Sequence, residues 1–206
     1  AGLTRASGLI PAFIDAKTGL LTSFGGEDGE LLAAPLTPND WRAPTDNDRG
    51  NNMPRRQGVW RGAAASRSNI SVKHTNGVVT VTAELLDGQA QETLTYALMN
   101  CGRLRVSHRI ERDEALPDLV RVGMTARVPM AMTDAAWYGL GPHETYSDRK
   151  ASGLLAVHRA KSDALIHDYL RPQENGNRSD ARWLTLVDDA GAGLLVTGSP
   201  RFDFSV

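Results

Sequence analysis

The sequence is poor in cysteine and has no long apolar run. Cys101 is its single cysteine, which excludes an internal disulfide framework and a zinc site built from cysteines. No run reaches the ~18 apolar residues that a membrane-spanning helix needs. The first residues, 1–5, show neither a basic start nor a long apolar stretch, so no signal peptide is visible. We therefore expect a cytoplasmic protein that binds no membrane.

The sequence also has no large excess of either positive or negative charge. Lys and Arg together number 23 and Asp and Glu 24, which gives a net charge of −1. A nucleic-acid-binding domain usually shows a basic excess, so this balance argues against nucleic acid as a partner. Aromatic residues make up only 6% of the chain, which is little for a module that stacks sugars on exposed aromatic rings. What remains is an ordinary globular chain.

Alternation of apolar and polar residues is the strongest periodic signal. It runs through residues 79–85, 103–110 and 120–128, where apolar side chains would line one face of a strand. Such strands are typical of antiparallel sheets with one solvated face. Turn signals that supply positive φ angles separate the runs: Asn76-Gly77, Asp87-Gly88, Asn100-Cys101-Gly102 and Asp188-Asp189-Ala190-Gly191.

Further strand-like stretches complete an all-β pattern. They are residues 154–159, 182–187, 193–197 and 202–206, with a hairpin over 12–23. No convincing helix appears, because the best candidate, residues 55–65, lacks apolar residues at helical spacing. We predict one large antiparallel β-sandwich domain over residues 1–206. The last residues read as the middle of a strand, so we expect this domain to be incomplete at its C-terminal end.

The segment at residues 41–50 breaks the alternation. It combines side-chain carbonyl and carboxylate groups with two arginines and a tryptophan. Such a loop could hydrogen-bond the hydroxyl groups of a sugar, with Trp41 offering an apolar face. The alternative, which composition alone favours, is a turn held by its own Asp and Asn side chains.

A second irregular segment, residues 137–149, contains two glycines and a proline. The adjacent His143 and Glu144 could do acid–base work, but neighbours on an extended chain point to opposite faces. Composition favours a structural alternative, a loop held by an ion pair of Arg149 with either Asp148 or Glu144.

A third polar segment, residues 171–180, contains an Asn175-Gly176 turn. Gln173, Glu174 and Asn177 could line a polar pocket. A solvated loop is the more common outcome for such a composition, so both interpretations stay open.

The remaining residues that could act as catalysts or metal ligands form no recognisable motif. The other histidines are spread out without metal-ligand spacing: His74, His108, His158 and His167. His108 falls on the apolar face of a strand, where a hydrogen-bonded core histidine is more common than a ligand. The sequence has neither a Gly-rich phosphate loop nor a Gly-x-Ser-x-Gly elbow. We predict no metal site and no catalytic residue in this chain.

Together, and in this order, the three segments resemble one family. Residues 41–50, 137–149 and 172–176 are similar to segments of the C-terminal domain of the large β-galactosidases of glycoside hydrolase family 2. In some bacteria this region is a separate small subunit. The resemblance covers nearly the whole chain, and three motifs in order are quite specific. It implies an antiparallel supersandwich related to galactose mutarotases.

The resemblance also implies a partner. The domain would pack against a catalytic (β/α)₈ barrel, or large subunit, and help to wall the site where a galactoside substrate is hydrolysed. Because the two catalytic glutamates belong to that barrel, we expect this chain alone to be inactive. The parent enzymes use Mg²⁺ and often Na⁺, whose ligands lie in other domains, so we expect no cofactor in this chain. We expect the parent enzyme to be oligomeric.

Site residues follow from the same resemblance. The family places a mobile loop after the first segment, and the matching stretch here is residues 50–58, with glycines at both ends that permit hinge-like change. The residues expected to wall or gate the substrate site are Asp46, Asn47, Asp48, Gly50, Asn51 and Asn52. The residues expected to brace the sandwich or an interface are Trp41, Arg42, Glu144, Tyr146, Asp148, Arg149, Glu174 and Asn175.

One family feature is missing from these residues, and two other functions stay open. Family members contain a Gly-Gly-Asp-Asp-Ser-Trp-like segment whose Trp supports the far end of the substrate, and this sequence has no such segment. The alternatives are a carbohydrate-binding module and a sugar isomerase of the mutarotase type. An isomerase needs a histidine and a carboxylate that converge on the sugar ring, and the candidates are His108, His143, His167 and Glu174.

Overall fold

The structure is a computed structural model, and it describes residues 2–3, 11–26, 29–99 and 102–206. The turn predicted at Asn100-Cys101-Gly102 therefore lies outside the described residues except for Gly102. Cys101 lies outside them as well. Within the described ranges, no helix is both long and apolar enough to cross a membrane.

Strands account for most of the regular structure. They are β1 (Gly2–Leu3), β2 (Ala12–Ile14), β3 (Leu21–Gly26), β4 (Gly29–Glu30), β5 (Ala34–Asn39), β6 (Ser68–Thr75), β7 (Val78–Leu85), β8 (Ala90–Leu98), β9 (Leu104–Arg112), β10 (Gly123–Arg127), β11 (Asp134–Gly141), β12 (Leu154–Lys161), β13 (Arg178–Val187) and β14 (Gly193–Phe204). The helical segments are α1 (Asp46–Gly50), α2 (Met53–Arg56) and 3₁₀ helices at Gly58–Ser66, Leu86–Gly88 and Ser162–Leu165.

The chain forms two compact units, and the first, Ala1–Val128, contains two sheets. One sheet has the strand order β1-β2-β3-β5-β10 with β4 paired to β3, and the other has the order β6-β7-β8-β9. Every pairing between these strands is antiparallel. Side chains from both sheets, among them Ile14, Leu21, Val81 and Leu94, share one buried core. The first unit is therefore a β-sandwich.

The second unit, Pro129–Val206, contains one antiparallel sheet in the order β12-β11-β13-β14. Its largest buried side chain is Trp137 on β11, which is 0% exposed. The Trp137 ring lies 5.2 Å from the His158 ring and 5.8 Å from the Phe204 ring, measured between centroids. Its Nε1 donates a hydrogen bond to the Leu140 carbonyl at 3.0 Å. Both units are built from strands, so the predicted all-β class is confirmed.

The predicted hairpin turns are largely confirmed. Asn76 and Gly77, between β6 and β7, have φ angles of 51° and 78°, and Gly191, between β13 and β14, has a φ of 82°. Gly19 closes the hairpin of β2 and β3 with a φ of 66°, and a Cβ atom there would lie 2.3 Å from Val81 Cγ1. Glycine is therefore required at position 19 by both backbone and packing.

The strand predicted over residues 120–128 is wrong in its first part. β10 begins only at Gly123, and Val122 is 52% exposed. The chain before β10 is held by side chains from outside the sheet. Gln57 Nε2 donates to the Asp118 carbonyl at 3.0 Å, and Arg112 binds the Asp118 carboxylate.

The expectation that helices are absent is also wrong. Residues 46–66 form α1, α2 and a 3₁₀ helix in close succession. α1 has five residues and α2 has four, too few to show a hydrophobic period, which is why apolar spacing misses them. Trp60 and Ala63, three positions apart on the 3₁₀ helix, are buried. The single domain boundary over residues 1–206 and the likeness to mutarotases stay predictions.

Candidate functional site

The first polar segment, residues 41–50, ends in the short helix α1. Thr45 is its N-cap: Thr45 Oγ1 accepts a hydrogen bond from the Asp48 N–H at 3.2 Å, and the Asp48 carboxylate accepts one from the Thr45 N–H at 2.8 Å. This reciprocal arrangement is a capping box. Asp46 and Asp48 also place negative charge at the positive end of the helix. The Thr-Asp-Asn-Asp sequence is therefore what makes the chain turn here.

Asp48 holds the segment together from inside. Its two carboxylate oxygens accept hydrogen bonds from Nη1 and Nη2 of Arg42, the second at 3.1 Å, and Thr45 Oγ1 donates to it at 2.9 Å. Burial alone would raise the pKa of the Asp48 carboxyl, but the bonds from Arg42 and Thr45 and the Arg42 charge lower that pKa below its usual value. Asp48 is therefore a buried, ionised support of the segment.

The other residues predicted to wall or gate a site are exposed around this buried carboxylate. They are Asp46, Asn47, Gly50, Asn51 and Asn52. Asp46 makes a surface ion pair with Arg49 at 3.2 Å. Trp41, which is partly buried, packs against the buried cluster that contains Trp60 and Leu85. The segment thus has a supported inner side and an outer side rich in carboxylate and amide groups.

The stretch predicted as a mobile loop, residues 50–58, contains the end of α1 and all of α2. Asn52 lies between them in the left-handed region, with a φ of 63°. Arg56 binds back to Asn51 through Nη2 to Oδ1 at 2.9 Å and through Nε to the carbonyl oxygen at 3.2 Å. A Cβ atom at Gly50 or Gly58 would meet nothing within 4 Å. Packing in this conformation therefore does not require either glycine.

The second and third polar segments lie in the second unit and contact each other through Glu144. Of the two ion pairs considered for Arg149, the structure contains the one with Glu144, at 3.0 Å. Glu144 also accepts hydrogen bonds from the Tyr169 hydroxyl and from the Gly176 N–H, the latter at 2.9 Å. Burial would raise the pKa of the Glu144 carboxyl, but these bonds and the Arg149 charge lower it. Glu144 thus links two segments 32 positions apart.

A second set of buried hydrogen bonds joins the same two segments. Thr145 N–H donates to the Asn177 carbonyl at 2.8 Å, and Asn177 Nδ2 donates to the Thr145 carbonyl at 2.7 Å. Gly176, the residue before Asn177, has a φ of 77°, and a Cβ atom there would lie 3.0 Å from the Leu165 carbonyl oxygen. The buried Arg178 guanidinium donates to carbonyls of Leu165 and Gly176, each at 2.8 Å. The parts of both segments outside the strands are therefore fixed by buried polar bonds. The prediction that residues 137–149 are irregular is wrong for 137–141, which belong to β11, and residues 178–180 of the third segment begin β13.

The remaining residues predicted to brace the sandwich or an interface belong to the same two segments. Tyr146 and Arg149 form an isolated β-bridge, with Asp148 exposed in the turn between them. Burial raises the pKa of Tyr146 to about 12. Asn175 accepts a hydrogen bond from the His167 N–H at 3.4 Å, and Glu174 is half-buried beside it. The roles predicted for these residues stay predictions.

The fold also brings together three residues that no sequence spacing connects. Asp40, which follows β5, Glu92 on β8 and His108 on β9 place side-chain donor atoms within 4.8 Å of one another. Glu92 and His108 are hydrogen-bonded at 3.1 Å, as expected for a core histidine. The one sequence signal is Glu92 itself, because it occupies an inward position of β8 between the buried Ala90 and Leu94.

Comparison with known proteins identifies the family. Residues 8–206 match the family model for the beta galactosidase small chain. The chain is 37% identical over 207 residues to a β-galactosidase of Priestia megaterium, a match that covers 98% of this chain and 20% of that protein. It is 33% identical to a β-galactosidase of Alteromonas mediterranea (93% and 20%) and 34% identical to one of Lactobacillus delbrueckii subsp. bulgaricus (77% and 16%). The chain thus spans about a fifth of the length of these relatives.

Proposed function

Since the chain belongs to the beta galactosidase small chain family, we propose that it is an accessory domain of a β-galactosidase that walls and gates the active site. The reaction would be hydrolysis of terminal β-D-galactosides. The catalytic glutamates would lie in a (β/α)₈ barrel domain or large subunit, with the Mg²⁺ and Na⁺ sites of the parent enzyme also in other domains. This chain alone would then be inactive, and the parent would be a cytoplasmic oligomer.

The structure of residues 41–52 is the main observation that supports this proposal. A charged, buried Asp48 fixes the backbone, and the carboxylate and amide groups of Asp46, Asn47, Asn51 and Asn52 lie exposed outside it. Carboxylates and amides are suitable hydrogen-bond partners for sugar hydroxyls. A rigid support under exposed polar groups is what a substrate wall requires, because misplacement by about 1 Å can cost roughly 100-fold in rate.

An exposed apolar face on the second unit supports a contact between this chain and the rest of the parent enzyme. The strand register places Tyr138, Leu155, Val157, Trp183 and Leu195 on one face of the sheet. Leu155, Val157 and Leu195 are 48%, 52% and 52% exposed. Because contiguous exposed apolar surface marks interaction sites, and because the relatives are about five times longer, we propose that this face contacts the rest of the parent enzyme.

We predict that replacing Gly50 by alanine in the parent enzyme lowers kcat/KM by roughly 10- to 100-fold. Gly50 ends α1 and has space for a Cβ atom, so alanine fits and leaves the free energy of unfolding unchanged or raised by about 0.4–1 kcal/mol. The expected kinetic loss comes from a stiffer hinge. Steady-state kinetics with a chromogenic β-galactoside measure it.

The matched control is Gly62→Ala. Gly62 lies in the 3₁₀ helix Gly58–Ser66 and, like Gly50, would place a Cβ atom with nothing within 4 Å. This variant should keep wild-type kinetics. If Gly50→Ala has wild-type kinetics as well, the gating role is wrong, whatever happens to stability.

The geometry gives less support to the sugar isomerase. The His108–Glu92 pair has side chains that are only 7% and 1% exposed, so a sugar ring cannot reach it. His143, which is exposed, is hydrogen-bonded to Ser152 at 2.9 Å. The accessory role in a galactosidase is therefore the function that these residues support best.

A further inference from the structure

A buried group of ionisable side chains includes Asp40, the residue before the first polar segment, and the proposed function does not use it. Asp40 follows β5 directly, and Glu92 and His108 lie diagonally on the same inward face of β8 and β9. Glu92 Oε1 and His108 Nε2 are 3.1 Å apart, and the donor atoms of all three residues lie within 4.8 Å of one another. Three elements of the first unit therefore converge on one point.

Asp40 is the unusual member of this group. It is 2% exposed, and neither of its carboxylate oxygens has a hydrogen-bond partner in the described part of the chain. A buried carboxylate without a partner is costly, so such groups are normally paired, protonated or bound to a metal. Burial is the main cause that raises the pKa of Asp40, to about 6 in all; His108 opposes the rise and the Glu92 charge adds to it. Asp40 therefore still needs a proton donor or a cation as its partner.

Arg67 supplies positive charge to Glu92 at Oε2, the carboxylate oxygen that does not bind His108. Its Nε donates to Glu92 Oε2 at 2.7 Å, and its Nη1 donates to the Thr18 carbonyl at 2.7 Å. The Arg67 side chain is 7% exposed, so this bond holds the Glu92 carboxylate in one orientation. Oε1 is thereby turned toward His108, to whose Nε2 it is hydrogen-bonded at 3.1 Å, which makes Arg67 a positioning residue.

We propose that Asp40, Glu92 and His108 bind one Zn²⁺ ion, with water in the fourth position. One imidazole nitrogen and two carboxylate oxygens are donors that zinc accepts at about 2.0–2.2 Å, and three protein ligands with an open position are a common zinc arrangement. Bonds of that length in a tetrahedron place ligand atoms about 3.3 Å apart, close to the 3.1 Å between Glu92 and His108.

This site differs in chemistry from the Mg²⁺ and Na⁺ sites expected elsewhere in the parent enzyme. Mg²⁺ prefers six oxygen ligands in octahedral geometry and usually keeps several waters, whereas this site is buried and includes an imidazole. A zinc ion here would tie Asp40, the residue before Trp41, to β8 and β9. It would thus fix the base of the segment that carries Asp48.

The test compares Zn²⁺ binding by the chelator-treated wild-type protein and by Asp40→Asn, using isothermal titration calorimetry. We expect the wild type to bind one Zn²⁺ per chain that the variant binds at least about 100-fold more weakly. Asp40→Asn removes an unpaired buried charge, so it should fold, and circular dichroism verifies this. Substitution with Co²⁺ should give visible absorption bands in the wild type that the variant lacks.

Two further variants make the result specific. His108→Gln should weaken Zn²⁺ binding as Asp40→Asn does, because it removes the nitrogen ligand. His74→Gln is the matched control, since His74 is an exposed histidine on β6, and it should bind Zn²⁺ like the wild type. Equal Zn²⁺ stoichiometry and affinity in the wild type, Asp40→Asn and His108→Gln, or no Zn²⁺ binding by the wild type, would overturn the proposal and leave the group as a buried ion-pair network.

Discussion

Replacing Asp48 by alanine should lower the free energy of unfolding of the first unit by about 2–4 kcal/mol. The change removes the cap bond to the Thr45 N–H and leaves the Arg42 guanidinium, whose side chain is 22% exposed, without its carboxylate. Chemical denaturation measures the loss. In the parent enzyme the same variant should lose most of its activity, because the support of residues 41–52 is gone.

The matched control is Asp46→Ala, two positions away on the same helix. Asp46 is half exposed, and its ion pair with Arg49 lies on the surface, so stability should change by less than about 0.5 kcal/mol. Its kcat/KM should nevertheless fall if the exposed groups wall the substrate site. Wild-type kinetics in a folded Asp46→Ala enzyme would contradict the wall role, and equal stability losses in the two variants would contradict the support role of Asp48.

The contribution of Asp48 should also depend on pH in a defined direction. Because its pKa is lowered in the folded state, the folded protein binds fewer protons than the unfolded chain near the ordinary Asp pKa of about 3.9. The stabilisation is therefore fully present above that value and is lost as the pH falls through the lowered pKa. The difference in stability between wild type and Asp48→Asn should shrink correspondingly in acid.

Replacing Trp137 by alanine should have the largest effect on the second unit, a loss of about 3–5 kcal/mol. The fully buried ring contacts the rings of His158 and Phe204, and the Arg178 guanidinium lies 5.7 Å from its centroid. Removing the ring leaves a cavity beside a buried arginine whose pKa burial already lowers. Urea denaturation followed by circular dichroism measures the change.

Trp183→Ala is the control for this prediction. Trp183 belongs to the same sheet but lies on the opposite face, beside Tyr138, and is only half-buried. Its loss should cost less than half as much as that of Trp137. Similar losses for the two variants would show that the buried face does not dominate the stability of this unit.

Some strands of this protein were predictable from the alternation of their side chains. β7 and β9 follow from that pattern, and the Asn-Gly turn at 76–77 follows from the need for positive φ. β12 to β14 overlap the further strand-like stretches, whereas β8 and β11, which lie inside their sheets, were not predicted. The short helices after Thr45 were not, because five residues are too few for a helical period. The capping sequence Thr-Asp-Asn-Asp was the available signal for α1.

The candidate site was predictable only in part. The resemblance of three segments points to residues 41–52, but sequence alone does not show that Asp48 is buried while Asp46 is exposed. Likewise, composition offered two partners for Arg149, and only the fold shows that Glu144 is the one it binds. Asp40, Glu92 and His108 come together through strand register and sheet packing, which pairwise spacing along the chain does not encode.

We propose that this chain is an accessory part of a β-galactosidase active site, which it does not complete alone. The most direct measurement is hydrolysis of a chromogenic β-galactoside by this chain, by a parent polypeptide that lacks this segment, and by the two mixed. We predict no turnover by the chain alone and activity on mixing, with Asp48→Ala failing to restore it. Turnover by the chain alone would contradict the claim, because the chain would then hold its own pair of catalytic carboxylates.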